Sequence, residues 1–478
     1  MAVLKRAVGL RTVVSTGAGM ALATVTYISF IELASYLTGN SAWIAILTSG
    51  LMAVLAGSCF CELNSMYPTA AGLKLYVEKA FNERVAIIVA GVYVMGQIAI
   101  VGAEVYIFSQ VLSVGITIVP PVIWAIAFMA LLFFLNYRGI RIAGMTQDII
   151  AYTMFAGLIL ISVYGFYRID FNIANPITIG SLDGFIQAVA IGISSYIAFE
   201  WVVTISEEVT DVKLVPKGMM IGLGVLAIVY ALFSTAMTSV LGNEGLAWAL
   251  RPDFLPANVP VLLWVVSSDG LPIPHVLYGM KLLGRFGLYF MIGMSILASL
   301  TSLNAGLLTF SRFVYAMARD WSLPRLFAKL HPKHATPWVA MVVVIIYGAL
   351  IITYTFATHF VLSMIFTIVA VECMMYVIMA LSVIRLRFKD PDRERSFKIK
   401  GGIVFPIIVI IIYGIVGCFI LFGPVNTAED LLEQRIALYF IIGLIIFNTI
   451  YAFLVWPRLR AKYQKIADAR VPRRRRRP

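Results

Sequence analysis

Four carboxylates, Glu32, Glu104, Glu200 and Glu372, stand inside stretches that otherwise suit hydrocarbon. An ionisable group in such a setting is a functional hypothesis by default. No Lys or Arg lies deep in those stretches; the nearest, Lys281 and Arg285, sit at one end of the eighth. Carboxylates without a cation are costly to bury in ionised form, so they hold protons or receive a cationic amine. The plainer reading is a hydrogen bond to a neighbouring helix.

A second chemistry is written in the backbone. Ser15-Thr16-Gly17-Ala18-Gly19 is small and polar within the apolar run VVSTGAGMALA, Val13 to Ala23. Ser194-Ser195-Tyr196-Ile197-Ala198-Phe199-Glu200 interrupts a later run in the same way. Glycine weakens a helix, and in hydrocarbon each freed backbone group needs a partner. An unwound Ser15–Gly19 would offer N–H groups and the positive end of a half-helix to a substrate carboxylate. Ser15 with Gly19, and Gly17 with Ala21, equally fit the small-residue spacing of close helix packing. Tyr27, Tyr196, Phe199 and Trp201 stand near the two interruptions, where aromatics either line a cavity or pack.

These residues need helices to hold them. The 478-residue chain is 61% hydrophobic and 13% charged, with mean hydropathy +0.93; a soluble domain is roughly half apolar and about a quarter charged. Runs of ~20 apolar residues span a bilayer. Twelve are read here, at 12–37, 41–63, 85–114, 121–137, 145–167, 182–205, 214–241, 279–311, 336–357, 360–386, 403–423 and 435–457. They are continuously apolar, unlike the alternating strands of a membrane barrel. With both termini inside, all 37 Lys and Arg fall on the cytoplasmic side except Arg168, Arg251, Lys281, Arg285 and Arg435, as the positive-inside rule asks. An all-α, multi-pass protein of the cell (plasma or inner) membrane is expected, with N- and C-termini cytoplasmic. The first run lacks a cleavage site after a short apolar region and reads as a retained helix.

The outside segment from Gly242 to about Tyr278 carries five prolines and has room for a re-entrant or surface helix. The inside segment Arg385 to Gly402 reads as a solvated loop. The two interrupted runs stand five spans apart, an odd offset that inverts one repeat relative to the other. Paired interrupted spans point to a binding site near the bilayer midplane. The organisation expected is one transmembrane domain over 1–478. It has repeats at about 12–167 and 182–386, extra helices at 403–457 and a basic tail at 458–478.

Other chemistry is weak. Cys59, Cys61, Cys373 and Cys418 all lie in apolar runs and read as neither disulfide nor metal site. His331 and His334 share a charged loop with no third ligand. The Arg473–Arg477 run reads as a disordered basic tail, with anionic lipid headgroups as its alternative partner. No base-stacking module accompanies it, so the net charge of +13 speaks of topology rather than nucleic acid. No metal or cofactor is called for. No paired His ligands, nucleophile elbow or phosphate loop appears in the spans, and an enzyme is not expected.

Several stretches resemble the amino acid–polyamine–organocation (APC) superfamily of secondary transporters. One runs from Cys61-Glu62-Leu63 through Met66-Tyr67-Pro68-Thr69-Ala70-Ala71-Gly72 to Tyr76 and Phe81. A second is Phe199-Glu200, then Glu207-Glu208-Val209 and Val215-Pro216-Lys217-Gly218. The most specific is Asn304-Ala305-Gly306, Ser311-Arg312, Tyr315-Ala316-Met317-Ala318-Arg319-Asp320, Leu323-Pro324 and Thr336-Pro337. The resemblance implies a five-plus-five inverted-repeat (LeuT-like) fold with broken helices 1 and 6, two extra C-terminal helices and alternating access. It favours Ser15, Thr16, Gly17, Ala18, Gly19, Tyr196, Ile197, Ala198, Phe199 and Glu200 as substrate-binding residues. Coupling candidates are Glu32, Glu104, Glu200 and Glu372.

The chain departs from the family pattern in places. Gly17-Ala18-Gly19-Met20-Ala21 stands where Gly-Ser-Gly-Ile-Phe is common, and Ala198 replaces a frequent Gly. Ser194 and Ser195 stand where large aromatics are frequent, which suggests a roomier or more polar pocket. The family's span-five Lys is absent from Tyr152-Thr153-Met154-Phe155, which opens the choice of coupling ion. A Na⁺ site of carbonyls near Ala18 and hydroxyls of Thr301 and Ser302 is one alternative. The function expected is an amino acid permease or exchanger, with proton coupling. Polyamine or other amine transport, and a transport-inactive sensor on the same fold, are the alternatives. Oligomeric state stays open.

Overall fold

The computed structural model describes residues 6–19, 21–22, 34, 38, 41–116, 118–138, 140–169, 182–249, 274–423 and 428–470. Tyr27, Glu32 and the Arg473–Arg477 run lie outside them, as does the side chain of Ser194. The described residues form helices in chain order: α1 (Leu10–Gly19), α2 (Ala42–Met66), α3 (Gly72–Ala80), α4 (Glu83–Gly115), α5 (Pro121–Tyr137), α6 (Ile140–Arg168) and α7 (Leu182–Ser194). After α7 comes a 3-10 segment, Phe199–Ile205. Then follow α8 (Leu214–Ala249), α9 (Pro274–Arg319), α10 (Trp338–Thr358), α11 (Val361–Lys389), α12 (Val404–Phe422), α13 (Ala428–Ile450) and α14 (Trp456–Arg470).

Among the described residues, nine helices are long and apolar enough to cross a membrane. α5 is a shorter apolar helix, and α1 and α7 stop early, at the two interruptions. Local signals set several starts. Pro121 opens α5, where a missing N–H costs nothing. The Asn82 side chain caps α4 by accepting from Val85 N at 3.0 Å. One continuous apolar core links α1, α2, α4, α8, α9 and α11. α1 packs against α6, α8 and the 3-10 segment, and α11 against α4 and α12.

Three segments differ from the sequence reading. The first is the long outside segment, which is helical at both ends: α8 runs on to Ala249, and α9 begins at Pro274. α9 bends at Gly284, with φ 59° and ψ −139°. A β-carbon at Gly287 would collide with the Gly279 carbonyl oxygen, so only glycines let this piece fold back so closely. The second is the basic tail. α13 passes through a π-helical turn, Tyr451–Val455, into α14, so its first part is helix. Tyr463 Oη accepts from Arg325 N at 2.9 Å, and Arg460 pairs with Glu83.

The third is the segment Arg385 to Gly402, which docks rather than floats. Arg387 holds Glu62 at 2.5 and 2.8 Å, and Ile399 N donates to Glu62 at 2.9 Å. Arg393 donates to Met66 O at 3.0 Å and lies 4.0 Å over the Tyr67 ring. The reason is that Glu62, almost fully buried, needs a cation and only this segment supplies one.

The same basic end carries more such pairs. Lys74 on α3 reaches Asp320 at 2.8 Å and Glu78 at 2.7 Å. Arg319 grips both oxygens of Glu207 at 2.7 and 2.6 Å. Glu207 also accepts from Thr69 Oγ1 at 2.8 Å and Ala70 N at 3.1 Å. Arg312 pairs with Glu208. The chain before α1 joins in: Val8 bridges Val209, and Ala7 N and Val8 N donate to Glu208 O at 2.8 and 3.0 Å. The end of α9, the loop after α2, the N-terminal segment and residues 206–210 are thus fastened to one another.

Burial alone would raise the Glu207 carboxyl, but its bonds to Arg319, Ala70 and Thr69 outweigh that and hold it below the usual glutamate value. A depressed carboxyl contributes stability that is full above its unfolded value, about 4.3, and is lost as pH falls through the folded one. Glu207→Gln should therefore cost about 1.5–3 kcal/mol at neutral pH and nearly nothing in acid. Thermal unfolding of both proteins across that pH range measures the difference.

Candidate functional site

α1 carries the small-residue stretch, and Ser15 through Gly19 are all buried. They are helical, not unwound; the helix ends after Gly19, and Leu22 N still reaches Ala18 O at 3.3 Å. This corrects the expectation that Ser15–Gly19 itself opens. The weak stretch stays wound because α6 clasps it. Ser15 Oγ donates to Asp148 at 2.5 Å and Thr12 Oγ1 to the same carboxylate at 3.0 Å. Gln147 Nε2 donates to Ser15 O at 3.2 Å. The N–H groups from Thr16 to Gly19 are consequently spent within the helix. What a helix leaves open at this end is carbonyl oxygen. Tyr230, from α8, donates its hydroxyl to Ala21 O just past the end.

The second interruption lies where expected. α7 closes with tight turns, Ser195 N to Gly192 O at 3.0 Å and Tyr196 N to Ile193 O at 3.1 Å. Ala198 then takes φ 73°, a left-handed conformation that costs a residue with a β-carbon roughly 1–2 kcal/mol. The 3-10 segment starts there, with Trp201 N bonded to Ala198 O at 3.1 Å. Tyr196 Oη anchors the turn to Ile46 O at 2.9 Å. The two interruptions meet: a β-carbon at Gly17 would lie 3.5 Å from Phe199 O and 3.7 Å from Val202 Cβ. Beside them, the buried hydroxyls of Thr16 and Ser195 have no hydrogen-bond partner.

Ile197 and Phe199 are buried with the turn. Phe199 stacks on Tyr376, ring centres 5.4 Å apart, and meets Phe60 edge-on at 5.9 Å. Trp201 packs against Phe310 at 4.5 Å. Tyr196, Phe199 and Trp201 are thus packed side chains here.

The carboxylates separate into two places. Glu200 accepts from Tyr93 Oη at 2.6 Å and Tyr376 Oη at 3.2 Å. Its carboxyl group neighbours that of Glu372, which Gln97 contacts through Nε2. Glu104 lies two turns along α4 from Gln97 and accepts from Ser299 Oγ at 2.6 Å.

The region considered for Na⁺ holds a protein amide. Gln147 Nε2 lies 2.5 Å from Thr301 Oγ1, and its Oε1 accepts from Asn304 Nδ2 at 2.9 Å. Asn136 Nδ2 donates to Asn304 Oδ1 at 2.8 Å. Ser302 Oγ, nearby in sequence, is buried without a partner. Gln147, Asp148, Tyr230 and Gln97 went unremarked as site residues in the sequence reading. The signal for the two glutamines was their uncharged polarity inside apolar runs.

The chain matches the family model described as Amino acid permease over residues 9–447, and it belongs to that family. A branched-chain amino acid permease of Bacillus subtilis is 27% identical over 320 residues, covering 66% of this chain and 60% of that one. The human large neutral amino acids transporter small subunit 2 is 25% identical over 405 residues, 80% and 69% of the two chains. Among solved structures, a substrate-bound, outward-open Na⁺-coupled sialic acid symporter superposes with TM-score 0.54 at 15% identity, covering 88% and 92%. The fold is the all-helical, five-plus-five inverted-repeat transporter fold with its first and sixth helices broken.

Replacing Ala198 by Gly removes the left-handed penalty at the second interruption. The variant should unfold later, gaining about 1 kcal/mol after the extra backbone freedom of glycine is deducted, as read by thermal unfolding in detergent.

Proposed function

We propose that this member of the amino acid permease family moves α-amino acids across the cell membrane by alternating access, driven by protons as a permease or exchanger. The basic end, with both termini, faces the cytoplasm, where the positive-inside rule puts it. The substrate sits where the two interruptions meet, among Ser15, Thr16, Gly17, Ala18, Gly19, Tyr196, Ile197, Ala198, Phe199 and Glu200. Its ammonium group faces the carbonyl ends of α1 and α7. Its carboxylate is received by the Thr16 and Ser195 hydroxyls. Ser15 serves indirectly, since its hydroxyl is committed to Asp148. Glu200 does too, because tyrosines occupy its oxygens and a second carboxyl neighbours it.

The observation that carries this reading is the pair of orphan hydroxyls, Thr16 and Ser195, buried beside two adjoining helix ends. A buried polar group without a partner costs about 1–3 kcal/mol, and a polar ligand removes that cost. Glu104, Glu200 and Glu372 are the coupling residues proposed, with Glu32 a fourth. Hydroxyl and amide donors engage Glu104, Glu200 and Glu372, which does not favour an amine dication as substrate.

Counterflow in proteoliposomes tests the proposal. Labelled α-amino acid should enter vesicles preloaded with α-amino acid and be refused by vesicles preloaded with the corresponding decarboxylated amine. Gly17→Val drives methyl groups toward Phe199 O and should cut the rate roughly tenfold or more, ~1.4 kcal/mol. Full activity in a folded Gly17→Val protein would place the substrate elsewhere.

A further inference from the structure

Glu200 begins the 3-10 segment after the second interruption, and Glu372 lies in the middle of α11. Both are essentially inaccessible to water. Their carboxyl groups are neighbours, close enough to act on each other. Two ionised carboxylates buried side by side repel each other, and neither has a hydrogen to give the other. The groups facing them are Tyr93 and Gln97 from α4, Tyr376 and Cys373 from α11, and Tyr413 from α12. Cys59 of α2 adjoins Tyr413. Among the described residues, no Lys, Arg or His pairs with either carboxyl. Two further oxygens there, Glu372 Oε1 and Gln97 Oε1, are buried acceptors with no donor. The site is therefore short of hydrogen, not of acceptors.

We propose that Glu200 and Glu372 share one proton, and that this pair is the proton-binding site of the transporter. The proposal rests on the proton-driven reading above for its role in transport, and on the local geometry alone for the shared proton. Loading forms one O–H bond on a carboxylate, which donates to the other carboxylate. Unloading breaks that bond and passes the proton to water. The loaded pair carries one negative charge, which the Tyr93 and Tyr376 hydroxyls help to hold, and the unloaded pair carries two. Because Glu200 rides on the broken span and Glu372 on a continuous helix, movement of one against the other parts the carboxyls. The proton is thereby tied to the substrate site three residues away at Ile197.

Infrared spectroscopy of the purified protein in lipid, at neutral pH, reads the protonated-carboxyl C=O band directly. Glu200→Gln and Glu372→Gln should each remove one full carboxyl equivalent, because either variant leaves a lone carboxylate beside an amide donor. The double variant should remove no more than either single one. Glu104→Gln should leave this component in place. Two separate losses that add in the double variant would mean two independent protons and overturn the shared one. No loss in either single variant, or a band that changes when Na⁺ replaces K⁺, would overturn the proposal as well. Proton-gradient-driven accumulation should fall at least tenfold in both single variants; retained accumulation would overturn the pair's coupling role. Counterflow that fails in the unmodified protein, with the band behaving as expected, would instead defeat the transport reading and leave the shared proton standing.

Discussion

A backbone that stops being helical inside hydrocarbon must have its freed N–H and C=O groups satisfied, and the middle of this molecule is arranged around that requirement. The first interruption is managed from outside α1. Gln147 takes the Ser15 carbonyl, Asp148 takes the Ser15 and Thr12 hydroxyls, and Tyr230 takes the Ala21 carbonyl. The second is managed by tight turns, by the Tyr196 bond to Ile46 and by the strained Ala198. These partners come from α2, α6 and α8, so the positions of both ends are set by helices that are themselves unbroken. What is left unsatisfied among the described residues, the Thr16 and Ser195 hydroxyls, belongs to the proposed substrate site.

The same accounting separates the charges. At the basic end, buried carboxylates are met by guanidinium or ammonium groups: Glu62 by Arg387, Glu207 by Arg319, Glu208 by Arg312. In the middle, Glu104 accepts from a serine, and among the described residues no Lys, Arg or His pairs with Glu200 or Glu372. These ion pairs fasten the loops and helix ends to one another, and breaking a buried one is costly. Protons are the remaining means of stabilising carboxyls that no cation reaches. The loops and the core thus hold carboxylates in different surroundings, as the proposed proton coupling requires.

Much of this was legible in the residues. Continuous apolar runs announced the spans, and their lengths were nearly right because bilayer thickness fixes them. The second interruption, Ser194 to Glu200, is where the helix stops. The first was misplaced by a few residues, because propensity counts the weakness of Gly17 and Gly19 but not the clasp of Gln147 and Asp148. The Arg385–Gly402 segment looked solvated because its charges were counted without their partner, Glu62, some 325 positions away. For the same reason Glu200 and Glu372 appeared as separate candidates. Their contact depends on how α11 packs against the broken span, which no local pattern encodes.

The measurement that bears most directly on the account is a structure determined with a transported α-amino acid bound. The ligand should lie where α1 and the 3-10 segment meet, with its polar head within hydrogen-bond distance of the Thr16 or Ser195 hydroxyl and its ammonium group on the carbonyls ending α1 and α7. Density for the ligand anywhere else, with both hydroxyls still unpartnered, would contradict it.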